Sequence, residues 1–170
     1  MSDEPSPHGV LTTANARVHE EIEDALLSFL EGITALDDAH ATAAWDRFLA
    51  AFERHARFEE AEIFPRYEDL GPRPRGQGLE LFEADHVSLN KVIRAAVSAI
   101  AMIREATTDK RRVMITQLGA LLRVRNILEH HTLREERFLY PALEASLPHS
   151  AQATLATALT GARPSDRSSE

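Results

Sequence analysis

Apolar residues recur along this chain at intervals of three and four, and no stretch alternates polar and apolar as a strand would. The first stripe, Val18, Ile22, Leu26, Phe29, Leu30 and Ile33, predicts a helix over about 13–35. Gly32 lies near its end, and Asp37 or Asp38 can cap the next helix by accepting from a free backbone N–H. That second helix, over about 40–67, carries Trp45, Phe48 and Phe52. A third is expected over 79–106, with Phe82, Leu89, Ile93, Val97 and Ile100 on its stripe. The fourth, over 110–146, uses Leu118, Leu121, Val124, Leu128 and Phe138, and Pro148 can open a short fifth helix that ends near Leu159.

The breaks are as informative as the stripes. The segment from Gly71 to Gly78 holds two prolines and three glycines and cannot sustain a helix. It lacks the Lys-Ser/Thr ending of a phosphate-binding loop and follows no strand, so it reads as a connection. Thr107, Thr108 and Asp109 mark the next boundary. Four long amphipathic helices with short connections predict an all-α chain folded as an up-down-up-down four-helix bundle with a short C-terminal helix. One domain over 1–160 is expected, and the polar tail 161–170, with Pro164, is expected to be disordered.

Composition narrows the function classes. The chain has 170 residues, 44% hydrophobic and 27% charged, with a formal net charge of -8. Its basic residues are scattered among acidic ones, so no cationic face for nucleic acid is expected. No run of about 18 apolar residues occurs, and the polar start, with Pro5 and Pro7, does not resemble a secretion signal. No membrane association and a cytoplasmic location are the expectations. There is no cysteine, which removes disulfides, thiolate ligands and Cys nucleophiles together. There are, however, eight histidines, several inside helical segments beside glutamates.

The chain also repeats itself. His55-x3-Glu59-Glu60 runs on to Ile63-Phe64-Pro65, and His131-x3-Glu135-Glu136 runs on to Leu139-Tyr140-Pro141, in identical register. A preceding helix in each half bears a histidine, His19 in one and His86 in the other. Two helix pairs related by a pseudo-twofold axis would bring all four histidines together.

Each of these histidines continues the buried stripe of its helix, and residues at i and i+4 share a face. His55 with Glu59, and His131 with Glu135, can therefore grip a common ion. A lone histidine on an apolar stripe is more often a hydrogen-bonded core residue. Four helices each supplying one, two of them with a glutamate, are a different matter. Two buried carboxylates are expensive without compensation, and a cation supplies it, with neutral imidazoles completing its shell. Zinc is over-supplied by six donors, and calcium and magnesium want oxygen. Imidazole with bridging carboxylate suits iron, then manganese, and two ions explain the ligand count better than one. Glu59 and Glu135, arriving from two helices, are placed to bridge them.

In this ordered set the chain resembles the hemerythrin-like family, also called the HHE cation-binding domain. The resemblance covers about 19–143 and rests on His19, His55 with Glu59, His86, and His131 with Glu135, with Phe64-Pro65 and Tyr140-Pro141 trailing. It implies a four-helix bundle around an oxygen-reactive centre of two Fe ions, bridged by two carboxylates and an oxo or hydroxo group. Two departures stand out. Hemerythrins themselves carry two histidines four apart on the third helix, where this chain has His86 and then Asn90. They use His-x4-Asp on the fourth, where this chain has His131-x3-Glu135. Water, Glu23 or Glu83 could fill the position that Asn90 leaves, and His130 is an alternative to His131 that falls off its stripe. His8, His40 and His149 read as surface or capping residues, and Tyr67 and Tyr140 as packing residues near helix ends.

Two functions follow from the resemblance. One is a redox centre that consumes O2, peroxide or nitric oxide; the other is reversible O2 binding for carriage or sensing. Iron handling, or a bundle that docks a protein partner of unknown kind, is a third. Asn90 favours the first, because a less fully ligated iron keeps a position open for a reacting molecule.

Overall fold

The computed structural model describes residues 9–161, and no strand occurs among them. Its elements are α1 (Val10–Ala35), α2 (Asp38–Phe58), α3 (Phe64–Glu68), α4 (Leu79–Glu105), α5 (Lys110–Arg134), α6 (Tyr140–Ser146) and α7 (His149–Thr160). Two π-helical turns, Glu59–Ile63 and Glu135–Leu139, join α2 to α3 and α5 to α6. The expected tail lies outside the described residues except for Gly161, and so does His8.

The corner between α1 and α2 shows how local chemistry sets direction. Leu36 takes a left-handed conformation, with φ 58°, and the N–H groups of Leu36 and Asp37 close on the carbonyls of Ile33 and Gly32. The Asp37 carboxylate then accepts from the His40 N–H at 3.0 Å and opens α2. A Cβ on residue 32 would lie 2.7 Å from the Ala41 nitrogen, so the helices approach this closely because Gly32 has no side chain. At its other end α1 has no cap of its own. Glu144 of α6 supplies one, accepting from the N–H groups of Leu11 and Thr12 at 2.7 and 2.8 Å, and its charge suits the positive end of the helix.

Pairs across the helices give their directions. Glu21 meets Arg54 and Ser28 meets Arg47 between α1 and α2, which therefore run antiparallel. Thr42 meets Arg104 and Glu60 meets His86, so α4 runs antiparallel to α2 and the π turn that follows it. Glu23 meets Arg125 and His19 meets Glu135 in the same sense for α1 and α5. Helix α7 lies along α1. The core between α1 and α2 holds a run of aromatic rings, Phe29, Trp45, Phe48 and Phe52, with successive centroids 4.8, 5.2 and 6.2 Å apart.

Three expectations change. The second and fourth helices are not continuous. Pro65 and Pro141 have no N–H, and each ring would strike the carbonyl four residues earlier in a regular helix. The chain widens instead: the Phe64 N–H donates to the Glu59 carbonyl and the Tyr140 N–H to the Glu135 carbonyl, five residues back. Val97, expected in the core, is 48% exposed, because Ala96 and Ile100 occupy the inward direction of α4. Finally, α4 is long and apolar enough to cross a membrane by length and composition, with a mean hydropathy of 1.2 over its best window. Its inward face, which includes Phe82, His86, Leu89 and Ile93, is spent on the core.

Candidate metal centre

The structure brings His19, His55, Glu59, His86, His131 and Glu135 into one cluster, and each is buried, with exposures from 0 to 5%. Single histidines come from α1 and α4, and the His/Glu pairs come from the ends of α2 and α5 where the π turns begin. Helical geometry explains the division. Four residues along a helix turn the side chain by about 40° beyond a full circle. From His55 and His131 that step moves into the buried stripe; from His19 and His86 it moves out of it. Glu23 and Asn90, four residues on, are accordingly exposed, as are Glu83 and His130.

Two pairs within the cluster are hydrogen-bonded, His19 with His55 and His86 with Glu59, while other ligand atoms converge without pairing. The Nε2 atoms of His19 and His55 are 2.9 Å apart. Glu135 turns Oε2 towards His19 at 3.1 Å and His55 at 3.6 Å, and Oε1 towards His131 Nε2 at 2.8 Å. Glu59 Oε2 lies 3.2 Å from His86 Nε2 and 3.5 Å from His55 Nε2. Two overlapping groups result, His19, His55, His131 and Glu135, and Glu59, His86, His131 and Glu135, with donor atoms within 4.8 Å of one another in each. Both Glu135 oxygens and His131 Nε2 are close to their neighbours, yet angled so that no hydrogen bond forms. Buried polar atoms rarely stay unpaired, and leaving a charged one so costs several kcal/mol by order of magnitude. These orphaned donors fit a cation.

Other side chains hold the donors in place. The Tyr140 hydroxyl donates to Glu59 Oε1 at 2.7 Å, and Glu60 Oε1 lies 2.9 Å from His86 Nδ1. Asn15 Nδ2 is 3.4 Å from His19 Nδ1, and the Nδ1 atoms of His55 and His131 have no hydrogen-bond partner. Asp85 comes no nearer than 3.9 Å to His131 and is held by Arg134 at 2.7 Å. The motif placed Glu60 beside Glu59, but its contact with α4 depends on how the helices meet. Tyr140, expected as a packing residue, is fully buried and bonded to Glu59, whereas Tyr67 donates to the Gln77 carbonyl. His40 contacts Ser28 at the surface, and His149 is exposed at the start of α7.

Charge is balanced within the cluster. Burial works against a proton on His86, but Glu59 and then Glu60 outweigh it and push its pKa up to about 9. Burial likewise opposes a charged His19, and Glu135, with Glu59 behind it, raises its pKa nonetheless. Burial would neutralise Glu135, yet His131, and then His19 and His55, hold it well below the usual carboxylate range. Burial, then the charge of Glu59 and Glu135, pushes the Tyr140 phenol well above its ordinary value, so it stays a donor.

Two openings reach the cluster. One cavity of about 230 Å³ ends at His19 and is walled by Glu20, Glu23, Arg125, Glu129 and Glu136. A second, of about 390 Å³, ends at His86 between Phe64, Leu79, Glu83, Val87 and Asn90. Asn90 thus stands in the wall of an approach to the cluster and not among its donors. The chain matches no protein-family model, no curated protein and no solved structure, so the chemistry rests on its own atoms.

Proposed function

We propose that this chain is a hemerythrin-like protein, an up-down-up-down four-helix bundle whose buried cluster holds two iron ions. The observation that carries this reading is the convergence of four imidazoles and two carboxylates from four helices, with the Glu135 oxygens left without hydrogen bonds. His19, His55, His86 and His131 would bind through Nε2, Glu135 would bridge the ions and Glu59 would supply an oxygen, with an oxo or hydroxo group completing the centre. Six donors over-supply a single tetrahedral zinc, and imidazole with carboxylate suits iron.

When bound, such a centre supplies reversible one- and two-electron chemistry towards O2, peroxide or nitric oxide. The protein's part is to bind, orient and exclude. Its six donors are buried, with exposures of 5% or less, and Tyr140 fixes one oxygen of Glu59. The cavity at His19 is lined by four carboxylates and one guanidinium, which disfavours anions and leaves neutral small molecules as the ligands of choice. Six protein donors for two ions leave positions open to a reacting molecule, which favours consumption of the ligand over storage.

The test is metal analysis of protein made in iron-supplemented medium. Two irons per chain are expected, and a single ion, or zinc, would overturn the assignment. Stopped-flow spectra of the reduced protein then separate the two functions. Rapid oxidation with peroxide turnover is expected; a stable adduct that releases O2 under vacuum would make the chain a carrier instead.

A further inference from the structure

We infer that the two ion positions are inequivalent and fill in order, the position at Glu59, His86 and His131 before the position at His19 and His55, with Glu60 setting that order. The inference rests on the two-ion reading above. Its first support is the distribution of oxygen. Glu135 gives one oxygen to each side, Oε1 beside His131 and Oε2 beside His19 and His55. The His131 ring is 5.1 Å from that of His86 and 6.0 Å from that of His19, so it belongs with His86. Glu59 turns Oε1 to Tyr140 and Oε2 towards the histidines, and Oε2 is nearer His86 at 3.2 Å than His55 at 3.5 Å. The His86 side therefore receives two imidazoles and an oxygen from each carboxylate. The His19 side receives two imidazoles and an oxygen of Glu135. A divalent cation is drawn more strongly to the position with more anionic donors.

The second support lies behind the imidazoles. A histidine that binds metal through Nε2 keeps its proton on Nδ1, and an acceptor there fixes the ring and strengthens the donor. His86 has a carboxylate in that place, Glu60 Oε1 at 2.9 Å. His19 has the side-chain amide of Asn15, presenting nitrogen at 3.4 Å while its own oxygen is unpartnered, so the amide must turn over before it can accept. His55 and His131 have no partner at Nδ1. Of the four, His86 alone has a carboxylate at hydrogen-bond distance of Nδ1, since Asp85 stands 3.9 Å from His131 and is held by Arg134. Glu60 is 56% exposed, so changing it leaves the core untouched. It is a positioning residue that acts through His86.

The experiment is a titration of the metal-free full chain with Co(II), followed by visible absorption and by paramagnetic proton NMR. Two equivalents are expected, the first at least about tenfold tighter, with the ring protons of His86 and His131 shifting before those of His19 and His55. Glu60→Gln is expected to weaken the first step by about 10–100-fold and leave the second unchanged. His19→Ala is expected to keep the first step and lose the second. Simultaneous filling, earlier shifts at His19 and His55, or a Glu60→Gln titration identical to the parent's would overturn the order while leaving two ions in place. Saturation at one equivalent would instead overturn the two-ion reading. The NMR order is read on the unaltered chain and does not depend on a variant folding.

Discussion

The two copies of the His-x3-Glu-Glu motif begin alike and end in different company. Both bury the histidine and the first glutamate, and both enter a π turn set by a proline six residues on. Beyond that they diverge. Glu60 reaches across to His86, whereas Glu136 stands half-buried in the wall of the cavity at His19. Tyr140 donates to the carboxylate of the other copy, whereas its counterpart Phe64 lies 5.1 Å from the His86 ring and has nothing to donate. Glu59 has both oxygens in hydrogen bonds, one to Tyr140 and one to His86, and Glu135 has neither. An internal repeat can build a symmetric ligand shell and still leave its two halves chemically distinct.

The largest expected effect sets the two glutamates against each other. Glu135 faces both groups of donors with both oxygens, so Glu135→Ala is expected to reduce iron from two per chain to well under one. Glu59→Ala removes one available oxygen and is expected to retain more iron. His55→Ala should also lower iron content. Elemental analysis of the three purified variants checks this, and unchanged iron in His55→Ala and Glu135→Ala would contradict the site.

Next in size is the pH dependence of the metal-free protein. His86 is raised in the folded chain from 6.5 to about 9. A folded-state pKa above the unfolded one stabilises the fold fully below pH 6.5, and that contribution fades as pH rises through about 9. A shift of this size corresponds to an effect on the order of 3 kcal/mol. Urea denaturation of metal-free protein between pH 6 and 10 should therefore show stability falling with pH, through His86 and, in the same direction, His19. Bound metal displaces these protons, so loading should release them and reverse the trend. A metal-free protein that gains stability across that window would remove the carboxylates as the source of the shift.

The six clustered residues were legible from spacing, because the step from His55 to Glu59, or from His131 to Glu135, stays on one helical face. The single histidines were legible from their stripes. What spacing could not reveal was the contact each residue makes across helices. Glu60 and Glu136 look alike in the chain, and only the packing of α4 against the π turn at Glu59 gives one of them a partner. The π turns were hidden for another reason: the apolar period upstream is that of an ordinary helix, and Pro65 and Pro141 were the one available signal. Asn90 was legible as a departure but not as an exposed residue, since His86 already stands at the edge of its stripe and one more turn leaves the core.

Exchanging the aromatic pair tests the second difference between the copies at smaller amplitude. Tyr140→Phe removes the donor to buried Glu59 Oε1, and leaving that oxygen without a bond should destabilise the metal-free chain by about 1–3 kcal/mol. In loaded protein the freed oxygen can turn to the metal, so the loss should shrink. Paired thermal melts of metal-free and loaded Tyr140→Phe measure the difference. Equal losses in the two states would mean that Tyr140 does no more than pack.

The smallest effect belongs to Glu136, and it isolates context from motif. Glu136 occupies the same place in its copy as Glu60 does, but it has no hydrogen bond to a histidine and faces a water-accessible cavity. Its charge adds only the last of several influences on His19. Glu136→Gln should therefore change stability by less than about 0.5 kcal/mol, as expected for a surface substitution without a partner, and leave both Co(II) steps in place. Glu60→Gln, the same chemical change one repeat earlier, should weaken the first. If the two substitutions act alike, the repeat itself governs binding, and the contact between Glu60 and His86 carries no weight of its own.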